Sequence, residues 1–216
     1  MANKIFSSNQ DIDRNAYMNW RTDMHQPIHN LNTLAKGYFE NAILSIYTCL
    51  EDNSDKKADI FIFPILFSIN HGIELYIKSL CWSVNILLDD TSKFKPNHNI
   101  RGLWQTAKQK LYEFGFGYGR EESEFVSMTK TLESYLDEIY HRIMTDSFDA
   151  AHKNIDFSRY PFSTDNRSHF YIGTYDNVVV DLENLLNIVK EIYECLTRLT
   201  DTYYDLVCCK WDMESE

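Results

Sequence analysis

Residues 60–87 read IFIFPILFSINHGIELYIKSLCWSVNIL, and the interpretation of this run decides the fold. It is too long for a strand, apolar almost all round, and bounded by the polar stretches EDNSDKKAD and DDTSKFKPNHN. Such a pattern predicts the central, most buried helix of a bundle, with Pro64 in its first turn or making a kink. Pro64, Asn70, His71, Glu74 and Lys78 interrupt it too often for a membrane span.

The flanking segments read as helices too. Residues 31–50 place Leu31, Leu34, Tyr38, Ala42 or Leu44, and Ile46 on one side at helical spacing. Asn97 or Asn99 is positioned to cap a helix over 100–114, which Gly115 ends. Residues 121–144 predict a fourth helix, with acids in the first turn where the helix dipole favours them. Its buried stripe is Phe125, Met128, Leu132, Tyr135 or Leu136, and Ile139. Residues 146–180 lose helical period, and HFYIGTYDNVVV (169–180) has the composition of a short hairpin. From Asp181, apolar residues recur every three or four positions from Leu182 to Leu206, a helix of about seven turns. The expectation is one all-α domain over 1–216, a helical bundle with an irregular insertion, about 146–180, before its last long helix.

Composition narrows the class. A chain of 216 residues with 44% hydrophobic residues, seven glycines and four prolines suits a compact helical protein. Residues 1–13 have no basic start followed by an apolar run, so a signal peptide is not expected. The five cysteines form no C-x-x-C pair and show no zinc-ligand spacing, which points to reduced cytosol and no disulfide framework. Glu138 and His141 form a single Glu-x-x-His pair where a di-iron bundle needs two, so no metal or cofactor is expected. GFGYG (115–119) follows a helix and misses the dinucleotide-loop spacing. Net charge is −11, divided as +1 over residues 1–120 (13 Lys and Arg, 12 Asp and Glu) and −12 over 121–216 (8 and 20). An acidic half of that size repels phosphate backbones and attracts basic proteins.

His71, Glu74 and Lys78 follow i, i+3, i+7 spacing and share one stripe of the central helix. Together with His98, Arg159 and Tyr160 they form the polar constellation of this chain. Its structural reading is a buried hydrogen-bond and ion-pair network that locks the Arg159-Tyr160-Pro161 turn onto the central helix.

Four segments in order, PILFSINHGIELYIKSL (64–80), HNIRGLW (98–104), FSRYPFSTD (157–165) and VVVDLENLLNIVKEI (178–192), resemble the HEPN-like helical proteins of bacterial toxin and phage-defence loci. The likeness runs from Phe61 to Leu199, about two thirds of the chain, and keeps His71, Glu74, Leu75, Lys78, His98, Arg159, Tyr160 and Pro161. The chain departs at Asn99, Ile100 and Ser158, where the pattern has Asp, Leu and Phe. RNA-cutting members of the class carry an Arg and a His separated by four to six residues; here the Arg-to-His intervals from Arg21, Arg142, Arg159 and Arg167 leave three, nine, nine and one residues between.

Two functions follow from the resemblance and the charge. The preferred expectation is a non-catalytic cytosolic binder, an immunity or antitoxin protein whose acidic surface occludes the RNA-binding cleft of a basic nuclease toxin. Its contacts would include Glu121, Glu122, Glu124, Tyr118, Tyr171 and Tyr175. The alternative is a metal-independent ribonuclease or phage-defence effector: His71 and His98 exchange protons, Arg159 and Lys78 clamp phosphate, and Glu74 orients a histidine. The resemblance also suggests a homodimer. No membrane partner is expected.

Overall fold

Among the described residues, five α-helices carry the architecture: α1 (Pro27–Glu51), α2 (Ala58–Leu87), α3 (Ile100–Phe114), α4 (Glu122–Thr145) and α5 (Leu182–Ser215), with short 3-10 turns at Ile12–Arg14 and Asp156–Ser158. The computed structural model describes residues 4–94, 96–115, 122–145, 155–162, 168–172 and 174–215, and the backbone alone at 144 and 145. The fold is an all-α bundle, and no strand occurs among the described residues.

α2 is the axis of the bundle. It packs against α1, α3, α5 and the Asp156–Ser158 turn, while α4 lies against α5 and α3. By length and hydropathy alone α2 would pass for a membrane span. Its neighbours bury residues all round it, including Ile65, Ile69, Ile73, Ile77, Leu80 and Val84, which is the surrounding of a core helix. Pro64 stands in its second turn without breaking it, and Asn53 Oδ1 accepts from the Ala58 amide at 3.0 Å at its start.

Local chemistry sets the other boundaries. Pro27 occupies the first turn of α1, where its missing N–H costs nothing. Asn99 is the α3 cap, its Oδ1 accepting from Gly102 N at 3.0 Å, and Gly115 ends the helix at φ 79°, a left-handed conformation that glycine adopts freely. Asp181 caps α5 through bonds from the Glu183 and Asn184 amides.

Three expectations are corrected. The buried face of α1 is Ile28, Ala35, Phe39, Ala42, Ile46 and Cys49, so Leu34 and Leu44 point outward. Ala42 and Ile46 are buried as expected and Leu31 and Tyr38 pack partly buried against the core, and the buried face is wider than one stripe because α1 meets two helices, α2 and α5. α5 runs to Ser215, more than nine turns, since no glycine or proline follows Leu206 and Lys210 donates to the Ile86 carbonyl at 2.9 Å and pairs with Asp89 at the end of α2. The hairpin at 169–180 is absent among the described residues; Phe162 and Ser168 make one isolated antiparallel bridge. Tyr171 ties this segment elsewhere, its hydroxyl donating to the Phe157 and Tyr160 carbonyls at 2.9 and 3.3 Å.

The α1–α2 crossing depends on Gly72. A Cβ there would lie 2.8 Å from Phe39 Cδ2 and 3.3 Å from the Ala35 carbonyl oxygen. Phe39 is fully buried and stacked at 5.0 Å on Tyr193, so its ring has no room to withdraw. Gly72→Ala should therefore lower stability by up to about 2 kcal/mol in urea titration, overpacking outweighing the roughly 1 kcal/mol helix-propensity gain. Unchanged or raised stability would show that the helices separate easily here.

Candidate functional site

Helical spacing brings Phe67, Asn70, His71, Glu74 and Lys78 to one side of α2. The chain returns to this side twice. Asn85 Nδ2 donates to the carbonyls of Ser92 and Lys93 at 2.8 and 2.9 Å and turns the loop after α2 back on itself. The capping group Asn99 Oδ1 accepts a second bond from the Tyr140 hydroxyl at 3.2 Å, fixing the residue after His98. Later, Ile155, Phe157 and Ser158 sink into the core and carry Arg159 to the same place. A cleft of about 330 Å³ results, lined by Phe67, Asn70, His71, Glu74, His98, Ile100, Ile155, Asp156 and Arg159.

Glu74 is the hub of its polar groups. Its carboxylate is buried, yet Oε1 accepts from Lys78 Nζ at 2.6 Å and meets His98 Nδ1 at 3.0 Å, while Oε2 lies 3.9 Å from His71 Nδ1. Burial pushes its pKa up, but the His71 and Lys78 partners and the charges of Lys78 and His98 more than offset this and bring it down to about 2. Glu74 is thus an obligate acceptor at neutral pH, so a hydrogen on His98 Nδ1 faces it and Nε2 is the ring nitrogen turned away from it. The His98 side chain is 66% exposed, leaving that nitrogen open to an occupant of the cleft.

Lys78 stands behind the carboxylate. It is buried, absent from the cleft lining, and lies 5.4 Å over the Phe94 ring, so it neutralises Glu74 and does not reach a bound phosphate. His71 is half-buried, edge-on to Tyr38 at 4.6 Å and stacked on Phe67 at 5.6 Å. Arg159 makes no hydrogen bond to the α2 stripe. Its guanidinium lies over Phe67 and Tyr160 at 5.5 and 5.3 Å, its ion pair with Asp156 is 3.7 Å long, and 43% of its side chain is exposed. The turn is held on α2 by the buried Phe157 and Ile155 and by Tyr171, more than by the polar stripe.

Of the six expected partner contacts, four lie among the described residues. Glu122 and Glu124 are exposed in the first turn of α4, Glu122 accepting from the Tyr112 hydroxyl at 3.0 Å. Tyr175 is fully exposed, whereas Tyr171 is half-buried, its hydroxyl bonded to the Phe157 carbonyl. Glu121 and Tyr118 lie outside the described residues.

Phe67, Asn70 and Asp156 belong to the cleft and escaped the sequence reading. The signal was present in the same spacing: Phe67 and Asn70 stand four residues before His71 and Glu74, and Asp156 three before Arg159.

A pH dependence of folding follows from Glu74. A folded pKa of about 2 against an ordinary 4.5 means that its contribution is complete above pH 4.5 and is lost as pH falls through 2. The contribution is at most about 3 kcal/mol. Urea titrations between pH 5 and pH 2 should show Glu74→Gln losing less stability than wild type across that window. Parallel curves would mean the carboxylate is not held ionised.

Compared with protein-family models, curated proteins and solved structures, the chain matches none.

Proposed function

We propose that the protein is a HEPN-like, metal-independent ribonuclease whose active site is the α2 cleft. The observation that carries this reading is the contact of His98 Nδ1 with the buried Glu74 carboxylate, 3.0 Å away, in a cleft that the Arg159 side chain also lines. A carboxylate that faces one ring nitrogen of a histidine and leaves the far nitrogen open is the arrangement of a general base. In the reaction, His98 Nε2 takes the proton of a ribose 2′-hydroxyl and the 2′-oxygen attacks the adjacent phosphorus. Arg159 holds the non-bridging oxygens. The bond to the 5′-oxygen breaks as that oxygen receives a proton from the His71 imidazolium, leaving a 2′,3′-cyclic phosphate and a 5′-hydroxyl. This assembles across α2, the loop before α3 and the Asp156–Arg159 turn what other members of the class carry within one helix turn.

The test is induced expression in bacterial cells, following growth and tRNA integrity, beside His71→Ala and Arg159→Ala. Growth arrest with cut RNA that is lost in both folded variants is expected. Normal growth with intact RNA would overturn the reading.

A second reading, the non-catalytic antitoxin for a basic nuclease toxin, is favoured by the exposed acids Glu183, Glu191, Glu194, Asp201 and Asp205 along α5. Part of the α4 charge is already used, since Asp137 and Glu133 pair with Arg101 and Lys108 of α3 at 2.8 and 2.9 Å. This reading predicts binding of a basic nuclease that weakens steeply with salt; salt-independent binding would exclude it.

A further inference from the structure

Two acidic residues among those described line the α2 cleft, Glu74 and Asp156. Glu74 is taken up by Lys78, His98 and His71. Asp156 is not engaged in this way. Its side chain is 30% exposed and accepts no hydrogen bond among the described residues, and its one ion pair there, with Arg159, is 3.7 Å long, beyond hydrogen-bond length. The place of the residue is nevertheless fixed. Ile155 and Phe157 on either side are buried, and the Asp156 carbonyl accepts from the Arg159 and Tyr160 amides at 2.9 and 3.0 Å. A carboxylate repels a phosphate bound beside it, so in a ribonuclease cleft this group is favourable only where a donor of the substrate meets it.

The rest of the lining narrows what that donor is. Phe67, Ile100 and Ile155 give the cleft apolar surface that suits the flat face of a nucleobase. Its volume of about 330 Å³ lies at the lower end of the roughly 300–1,000 Å³ of small-molecule sites, the size for one nucleotide and not for a duplex. A carboxylate presents two acceptor oxygens side by side. Of the four RNA bases, guanine alone sets two N–H donors side by side on its pairing edge, N1–H and the N2 amino group. Adenine and cytosine offer one amino group next to an acceptor, and uracil one N–H between two carbonyls. We infer that Asp156 is the base-selecting residue of the cleft, accepting from N1–H and N2–H of an unpaired guanine that rests on the Phe67, Ile100 and Ile155 surface. Arg159 serves both ends of the nucleotide, because its guanidinium carries five N–H donors and can stay beside Asp156 while another edge holds the phosphate.

This inference deepens the ribonuclease reading and rests on it for the phosphate, but its test requires no cleavage. The 3′-monophosphates of guanosine, adenosine, cytidine, uridine and inosine are titrated into the wild-type protein and into Asp156→Asn by calorimetry. Wild type should bind the guanosine nucleotide at least about tenfold more tightly than those of adenosine, cytidine and uridine. Inosine keeps N1–H and lacks the N2 amino group, so its nucleotide should fall between. Asp156→Asn keeps the shape but replaces one acceptor with a donor, and it should level these affinities. Wild type that binds the nucleotides alike, prefers another base or binds none overturns the inference, as does a guanosine preference that Asp156→Asn keeps. The inosine comparison needs no variant to fold: inosine bound as tightly as guanosine also overturns it. Guanosine preference in a protein that cuts no RNA would sink the ribonuclease reading and leave the base site standing. RNA cut without regard to base would do the reverse.

Discussion

Replacing Glu74 with alanine should destabilise the protein by about 3–5 kcal/mol, the range for removing one partner of a buried ion pair. The loss comes chiefly from what remains. Lys78 is buried beside it, its ammonium 2.6 Å from the carboxylate, and it has no other ion-pair partner among the described residues. Without Glu74 it must hold a charge in an apolar setting or give up its proton, and either costs free energy. His98 and His71 lose the group that orients them. The double change Glu74→Leu with Lys78→Met should recover most of the stability, because it removes both charges and keeps the volume. Urea titration of the two single variants and the double variant gives the coupling. A Glu74→Ala loss below about 1 kcal/mol would mean that the stripe is hydrated and the hub does not exist.

The second large effect is on activity. His98→Ala removes the proposed general base and leaves the Arg159 side of the cleft intact, so single-turnover RNA cleavage should fall about 10²–10⁴-fold. Stability should change little, since the His98 side chain is mostly exposed and fills no part of the core. Arg159→Lys distinguishes charge from geometry: the ammonium keeps the charge but loses the guanidinium's contact over Phe67 and its capacity for bidentate bonding to phosphate, and most of the Arg159 contribution should go with them. Equal activity of wild type and His98→Ala would remove His98 from the mechanism.

Much of the fold was legible in the sequence because strong periodicity and capping chemistry coincide there. The run Ile60–Leu87 announced a core helix, Asn99 and Gly115 mark α3 at both ends, and Phe125, Leu132 and Leu136 face inward on α4. What the sequence concealed depends on contacts between segments. On α1 the sequence pattern placed Ala42 and Ile46 in the core but also Leu34, which is exposed, while the buried Ala35 and Phe39 beside it face α2 and α5, two neighbouring helices. The β-branched run at 178–180 suggested a strand, but strand formation needs a partner, and Tyr171 commits the preceding residues to the Phe157–Tyr160 turn. At the site, spacing placed His71, Glu74 and Lys78 together, while the division of labour among them follows only from burial. Lys78 and Glu74 are both charged and four residues apart, yet one lines the cleft and the other supports it from behind. Arg159 was expected to lock onto the polar stripe; its position over Phe67 and Tyr160 instead leaves the guanidinium at the cleft rim.

The measurement that bears most directly on the central claim is cleavage of a single-stranded RNA by the purified protein in excess chelator, comparing wild type with His98→Ala and analysing the new ends. The expected result is cutting that survives the chelator, 2′,3′-cyclic phosphate and 5′-hydroxyl ends, and a loss of at least about a hundredfold in His98→Ala. Intact RNA with the wild-type protein, or cutting that His98→Ala leaves unchanged, would contradict it.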